Sequence, residues 1–185
     1  MKKILTSCAF AAAALTAAPV FAQSYVGLGV GSSKISGFDN GTVSGGNTNK
    51  SLVKIYGGFQ FTPNWGAELQ YSNLGNRDVT NAGVAVGSFR TSQYSIAGTG
   101  TLPLGSGFSL LGKLGVSANR VNSPAGVFNS SNNTSALIGV GASYSITPAM
   151  SVRVEYEDFG KVGTIAANGS TVRANGYSIS LKYGF

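Results

Sequence analysis

The stretch Tyr177-Ser178-Ile179-Ser180-Leu181-Lys182-Tyr183-Gly184-Phe185 closes the chain, and its reading decides the fold. Every second residue is large and apolar (Tyr177, Ile179, Leu181, Tyr183, Phe185), while those between are small or polar. A period of two marks a strand with one apolar and one polar face; a helix would repeat at 3.6. Chain ends normally fray, so a regular amphipathic strand here implies that the terminus is fixed in a sheet.

The same alternation recurs upstream over residues 24–31, 52–61, 65–72, 89–102, 108–120, 136–146 and 150–157, which with 177–185 predicts eight strands. Long segments rich in Gly, Ser, Asn and Thr separate some of them, at 32–50, 75–88, 122–133 and 160–173. Tight turns separate the others: Thr62-Pro63-Asn64, residues 103–107, and Thr147-Pro148-Ala149. Long and short connections therefore alternate. In an antiparallel meander this sends the long ones to one end, and the short ones with both termini to the other. An even strand number also lets the first strand pair with the last and remove the exposed edges.

The first 22 residues read as a secretory signal, with Lys2 and Lys3 at the start, an apolar middle, and Val20-Phe21-Ala22 as a small-x-small cleavage site. The mature domain is then expected to be residues 23–185. Cys8, the one cysteine, falls in the discarded segment, which leaves no thiol for a disulfide. Without Lys2 and Lys3 the chain keeps 11 basic residues against 6 acidic, and these are scattered rather than clustered with aromatics, so no nucleic-acid partner is expected. No apolar run is long enough for a spanning helix.

Which face meets solvent separates a soluble barrel from a membrane one. A water-facing surface carries abundant Lys and Glu. Here only 10% of residues are charged, and the polar faces are made largely of glycine and serine, as at Gly27, Gly29, Gly58, Gly115, Gly139 and Gly141. Such small residues suit a crowded interior, which eight strands make just wide enough for side chains to fill. The apolar faces carry Phe61, Trp65, Phe108, Tyr183 and Phe185 towards the short-turn end, and Tyr71, Tyr156 and Tyr177 towards the other. Two aromatic girdles flanking an apolar band belong to a bilayer-spanning barrel. The predicted fold is therefore an all-β, eight-stranded antiparallel up-and-down transmembrane β-barrel. It is expected in a Gram-negative-type cell outer membrane, its loops extracellular and its termini periplasmic.

Two segments carry a family resemblance. The ending, with Phe185 last, Tyr183 two before it, and Leu181 and Ile179 at the preceding alternate positions, resembles the C-terminal assembly signal of outer-membrane barrels. Tyr144-Ser145-Ile146-Thr147-Pro148 through Arg153, Glu155 and Tyr156 is similar to the corresponding hairpin of the OmpA-like transmembrane domain. The resemblance implies recognition by the barrel-assembly machinery, contact with outer-membrane lipids and lipopolysaccharide, and a monomer. OmpA-like proteins often add a peptidoglycan-binding domain; this chain stops at Phe185, so wall tethering is not expected.

Charge on a lipid-facing wall costs roughly 2 to 4 kcal/mol at the midplane for Arg or Lys. Lys54, Glu68, Lys113, Arg153, Glu155, Glu157 and Lys182 are therefore expected inside the barrel as an ion-pair network, either plugging the lumen or gating a narrow small-solute or ion pore. A second set, Lys34, Lys50, Arg77, Arg90, Arg120, Lys161 and Arg173, is placed at the long-loop rim against Asp39, Asp78 and Asp158. It could face lipopolysaccharide phosphates or simply keep the rim solvated. With no histidine in the chain and no nucleophile beside a base, no enzyme, metal or cofactor is expected. The expected role is structural or interactive: membrane integrity, adhesion, or lipopolysaccharide and host-surface contact through the loops, with a porin-like channel as the alternative.

Overall fold

The computed structural model describes residues 23–36, 43–44, 50–81, 84–122, 132–164 and 171–185. The signal-like residues 1–22, including Cys8, and parts of the long Gly-, Ser- and Asn-rich segments, among them Asn40-Gly41 and Asn168-Gly169, which read as turn signals by sequence, lie outside the described residues.

Eight long strands follow one another: β1 (Gln23–Ser36), β2 (Lys50–Gln60), β3 (Trp65–Asn81), β4 (Val84–Gly105), β5 (Phe108–Asn122), β6 (Asn132–Ser145), β7 (Met150–Thr164) and β8 (Thr171–Gly184). A two-residue strand, Val43–Ser44, pairs with the end of β3 at Thr80 and Asn81. Each long strand is antiparallel to its neighbour in sequence, and β1 pairs with β8 from Tyr25–Gly184 to Ser36–Arg173 without a register break. The eight long strands are thereby closed into an up-and-down barrel, the first paired with the last. The last residue is tied in as well, Phe185 N–H donating to the Ser24 carbonyl at 2.9 Å.

The sidedness is settled by β8. Ile179, Leu181 and Tyr183 are 52%, 44% and 51% exposed on the outer wall, whereas Ser178 and Ser180 are 3% and 4% exposed inside. Leu28, Leu69, Leu114 and Val140 continue the outward apolar band on other strands. Aromatic rings border it: Phe61, Trp65, Phe108, Tyr144, Tyr183 and Phe185 at the short-turn end, and the cross-strand pairs Tyr71–Tyr94 and Tyr156–Tyr177 at the other. Tyr94 and Tyr144 join girdles that the sequence had assigned to other aromatics. Two of the short turns share a device, a threonine hydroxyl that accepts backbone N–H groups beside a proline: Thr62 Oγ1 from Trp65 N (2.9 Å) and Thr147 Oγ1 from Met150 N (3.0 Å). The third runs through Gly105, Ser106 and Gly107, all with positive φ, where glycine relieves the backbone of a Cβ clash.

The strands are longer than the sequence pattern indicated. Segment 75–88, expected as a loop, is strand in its described part: β3 runs to Asn81 and β4 begins at Val84, paired from Asn76–Arg90 to Asn81–Val84 past a bulge at Gly75. β4 also continues through Pro103 to Gly105, β1 runs to Ser36, and β7 and β8 enter segment 160–173. Outside the bilayer both faces of a strand are wet, so apolar alternation stops while the backbone ladder continues.

Candidate functional site

The lumen is filled by a charge cluster drawn from four strands. Lys54 comes from β2, Glu68 and Gln70 from β3, Lys113 from β5, and Arg153, Glu155 and Glu157 from β7, all on the inward side of the alternation. Lys54 Nζ lies 2.6 Å from Glu155 and 3.1 Å from Glu157. Lys113 Nζ meets all three carboxylates, Glu68 at 2.6 Å, Glu155 at 3.0 Å and Glu157 at 2.9 Å, and donates to Gln70 Oε1 at 3.0 Å. Arg153 closes the set by donating to Glu68 Oε2 at 2.8 Å.

Three cations thus face three carboxylates, and no side chain in these pairs is more than 4% exposed. Balance matters because a buried charge without its partner carries a desolvation cost of several kcal/mol (roughly, per ion). Aromatic groups complete the shell. Tyr25 donates to Glu68 Oε2 at 3.0 Å, and the Arg153 guanidinium lies 4.9 Å from the Tyr56 ring centre.

Room for these side chains is made by glycines directly across the ladder. Glu155 stands opposite Gly141, Glu157 opposite Gly139, and Lys54 opposite Gly29. A Cβ at Gly141 would come 2.9 Å from Glu155 Cγ, and one at Gly29 would come 3.1 Å from Lys54 Cγ. Tyr25 and Tyr56 likewise lean over Gly58 and Gly27, their own register partners.

Towards the long-connection end of the same strands, the lumen carries apolar side chains that the sequence reading passed over. Leu52, Leu74, Leu137 and Phe159 are at most 1% exposed and point inward. Their strand parity was the available signal, since Leu52 is two residues from Lys54 and Phe159 two from Glu157.

Lys182 is not brought into the cluster. It faces inward near the short-turn end, opposite Gly27 and Ser151, with Nζ 4.9 Å from the Tyr25 ring centre and no ion pair among the described residues. The Tyr25 ring supplies the nearby electron density in place of a directly paired carboxylate.

The four alternate residues of the closing strand, Ile179, Leu181, Tyr183 and Phe185, form one outward stripe. The rim set divides. Lys34, Arg120, Lys161 and Arg173 are exposed, and Lys50 is half-buried on the inward side of β2. The side chains of Arg77 and Arg90 lie outside the described residues, their backbones pairing with Phe89 and Asn122. Arg173 is bound to Asp158 at 3.3 Å.

Among the described residues no group of His, Cys, Asp and Glu is arranged to hold a metal ion. Comparison with curated protein sequences returns no match. Among solved structures, the chain is similar to Ail, the attachment invasion locus protein of Yersinia pestis, solved in complex with the heparin analogue sucrose octasulfate (TM-score 0.61, 17% identity, 90% of this chain and 100% of that one). It is also similar to Neisserial surface protein A (TM-score 0.63, 20% identity, 88% and 97%) and to the outer membrane protein OprG of Pseudomonas aeruginosa (0.60, 15%, 89% and 96%). At these identities the likeness is one of fold. The sequence itself matches the family described as the OmpA-like transmembrane domain over residues 19–185, a span that takes in all eight strands, and the chain belongs to that family of outer-membrane barrels.

Proposed function

We propose that this barrel is a closed membrane scaffold that does its work at its outer surface, taking up polyanionic surface molecules through the long-connection end. The observation that carries the reading is the neutralised cluster of Lys54, Glu68, Lys113, Arg153, Glu155 and Glu157, which spans the lumen from β3 to β7 with almost no solvent exposure. Inward-facing Leu52, Leu74, Leu137 and Phe159 add a dry stretch along the same bore. A bore filled in this way argues against a solute channel and leaves the surface as the place of contact.

All seven basic residues of the rim set belong to the long-connection half, with three aspartates against them. That imbalance favours phosphate- or sulfate-bearing partners. Binding residues commonly sit on loops held by a rigid frame. In this reading residues 1–22 are a cleaved signal, Ile179, Leu181, Tyr183 and Phe185 address the chain to the assembly machinery, the termini are periplasmic, and the long connections are extracellular. Retention on a surface coated with a sulfated polysaccharide tests it. Intact protein is expected to bind in a salt-sensitive manner, and shortening segments 123–131 and 165–170 to lower the binding. Undiminished retention after shortening would contradict a role for the loops.

A further inference from the structure

The charges of the bore balance only while Lys182 is left out. Lys54, Lys113 and Arg153 answer Glu68, Glu155 and Glu157, and Lys182 adds a fourth cation on the same inward side. The chain has six acidic residues, and each is engaged or distant. Glu68, the carboxylate whose charge Lys182 feels, already takes Lys113 on Oε1 at 2.6 Å, with Arg153 at 2.8 Å and the Tyr25 hydroxyl at 3.0 Å on Oε2. Glu155 and Glu157 are held by Lys54 and Lys113. Asp39, Asp78 and Asp158 belong to the long-connection half, away from Lys182. The terminus at Phe185 makes no ion pair with Lys182 among the described residues.

What surrounds Lys182 is a set of donors. Its Nζ lies 4.9 Å from the centre of the Tyr25 ring, and Arg153 Cζ lies 5.7 Å from the same centre. Two cations therefore share one ring, whose quadrupole attracts each of them but carries no net charge to neutralise either. Lys182 has Gly27 on one side of the ladder and Ser151 on the other. The Tyr56 ring fills the space over Gly27, so the open side is that of Ser151. Residues opposed across a ladder have Cβ atoms about 5 Å apart, within reach of a lysine side chain. Ser151 is 5% exposed and Arg153 4%, yet Ser151 Oγ and Arg153 Nε have no hydrogen-bond partner. A buried donor left unpaired costs its full desolvation, so a partner is expected there. Lys182 itself is half-buried, and small solutes reach it from the short-turn mouth.

From these observations we infer that Lys182, Ser151 and Arg153 hold a small monovalent anion of the halide class at the short-turn mouth of the bore. An ammonium, a guanidinium N–H and a hydroxyl all donate, a combination that suits an anion and repels a metal cation. The charge of the ion follows from the count: four inward cations against three carboxylates leave one unit to neutralise. The inference goes beyond the proposed function and holds whichever way the barrel faces. It gives the mouth a counter-ion where the sequence supplies no acid.

The test follows the denaturant midpoint of the full barrel in nonionic micelles as sodium bromide replaces sodium gluconate, whose bulk keeps it out, at fixed ionic strength. An ion held by the folded state alone raises the folded-to-unfolded ratio by one plus its concentration over its dissociation constant, about fivefold for about 0.2 M bromide and a constant of about 50 mM. Wild type and the charge-keeping Lys182→Arg are expected to gain that factor relative to Lys182→Gln, and Ser151→Ala to gain about twofold. Ser109→Ala, which removes a hydroxyl from β5 at the same end, should respond as wild type. Heat-modifiable gel migration checks that each variant is folded. Equal responses of wild type and Lys182→Gln would show salt acting on the protein as a whole and overturn the site, as would a loss in Ser109→Ala matching that in Ser151→Ala. The place is read from the anomalous signal of bromide in crystals of the same barrel, where a peak between Lys182 and Ser151 is expected. A peak confined to other residues would overturn the assignment. A peak beside Lys182 without the solution response would mean binding at crystal concentration only, and overturn it as well.

Discussion

Glu155 touches two cations at 3.0 Å or closer, Lys54 and Lys113, and it has space to do so because residue 141 across the ladder is glycine. Removing its charge leaves Lys54, Lys113 and Arg153 against two carboxylates in a nearly dry bore. Glu155→Gln is therefore expected to cost about 3 to 5 kcal/mol. Lys182→Gln removes a charge from the same lumen but breaks no ion pair, and should cost under about 1 kcal/mol. Denaturant midpoints in micelles, followed by heat-modifiable migration, separate the two cases. Equal losses would mean that the cluster acts as a general field and not through its contacts. The inward charges were legible in the sequence because a lysine or glutamate at alternate positions of an apolar strand has only one tolerable direction. Which of them would touch was not legible: strand parity gives the face but not the depth, so Lys182 looked the same as Lys113.

At the level of the strand, the bulge in β7 decides how the rim is presented. Phe159, inward by the same alternation as Glu157, is the extra residue between the Asp158–Asn175 and Gly160–Ala174 pairs, and the bulge shifts the alternation beyond it so that Lys161 emerges opposite Arg173. Gly160 has φ of 70°, and a Cβ there would lie 2.7 Å from Ser135 Cβ and 2.8 Å from the Ala136 carbonyl. Gly160→Val is therefore expected to destabilise the barrel by about 1 to 3 kcal/mol through backbone strain and to loosen the end of the β7–β8 ladder. Amide exchange should quicken at Lys161 and Arg173 while Val154 and Ile179 stay protected; unchanged exchange at all four would contradict this account of the bulge. Strand existence and facing were readable wherever one side met lipid, as in β8. They became unreadable beyond the girdles: around Asp78 and Val79 the sequence shows no apolar alternation, and the ladder is carried by backbone bonds that leave no mark on residue type.

For the whole molecule, the arrangement is that of a soluble barrel turned inside out. Bulky side chains such as Leu114, 68% exposed, cover the wall, while all three glutamates of the chain are sealed in the bore. The sequence disclosed this inversion through its thin supply of charge and its glycine-rich polar faces. The inward apolar set of Leu52, Leu74, Leu137 and Phe159 went unread because a strand's apolar residues are expected on one face only, and these sit on the other. Together the ionic cluster and the apolar set support the proposed closed bore, on which the proposed role at the outer surface rests. The most direct test is the current carried by the folded wild-type barrel across a planar lipid bilayer in salt solution at neutral pH. The closed-bore account predicts a trace that stays at the lipid baseline. Steady, voltage-proportional current steps from the wild-type barrel would contradict it.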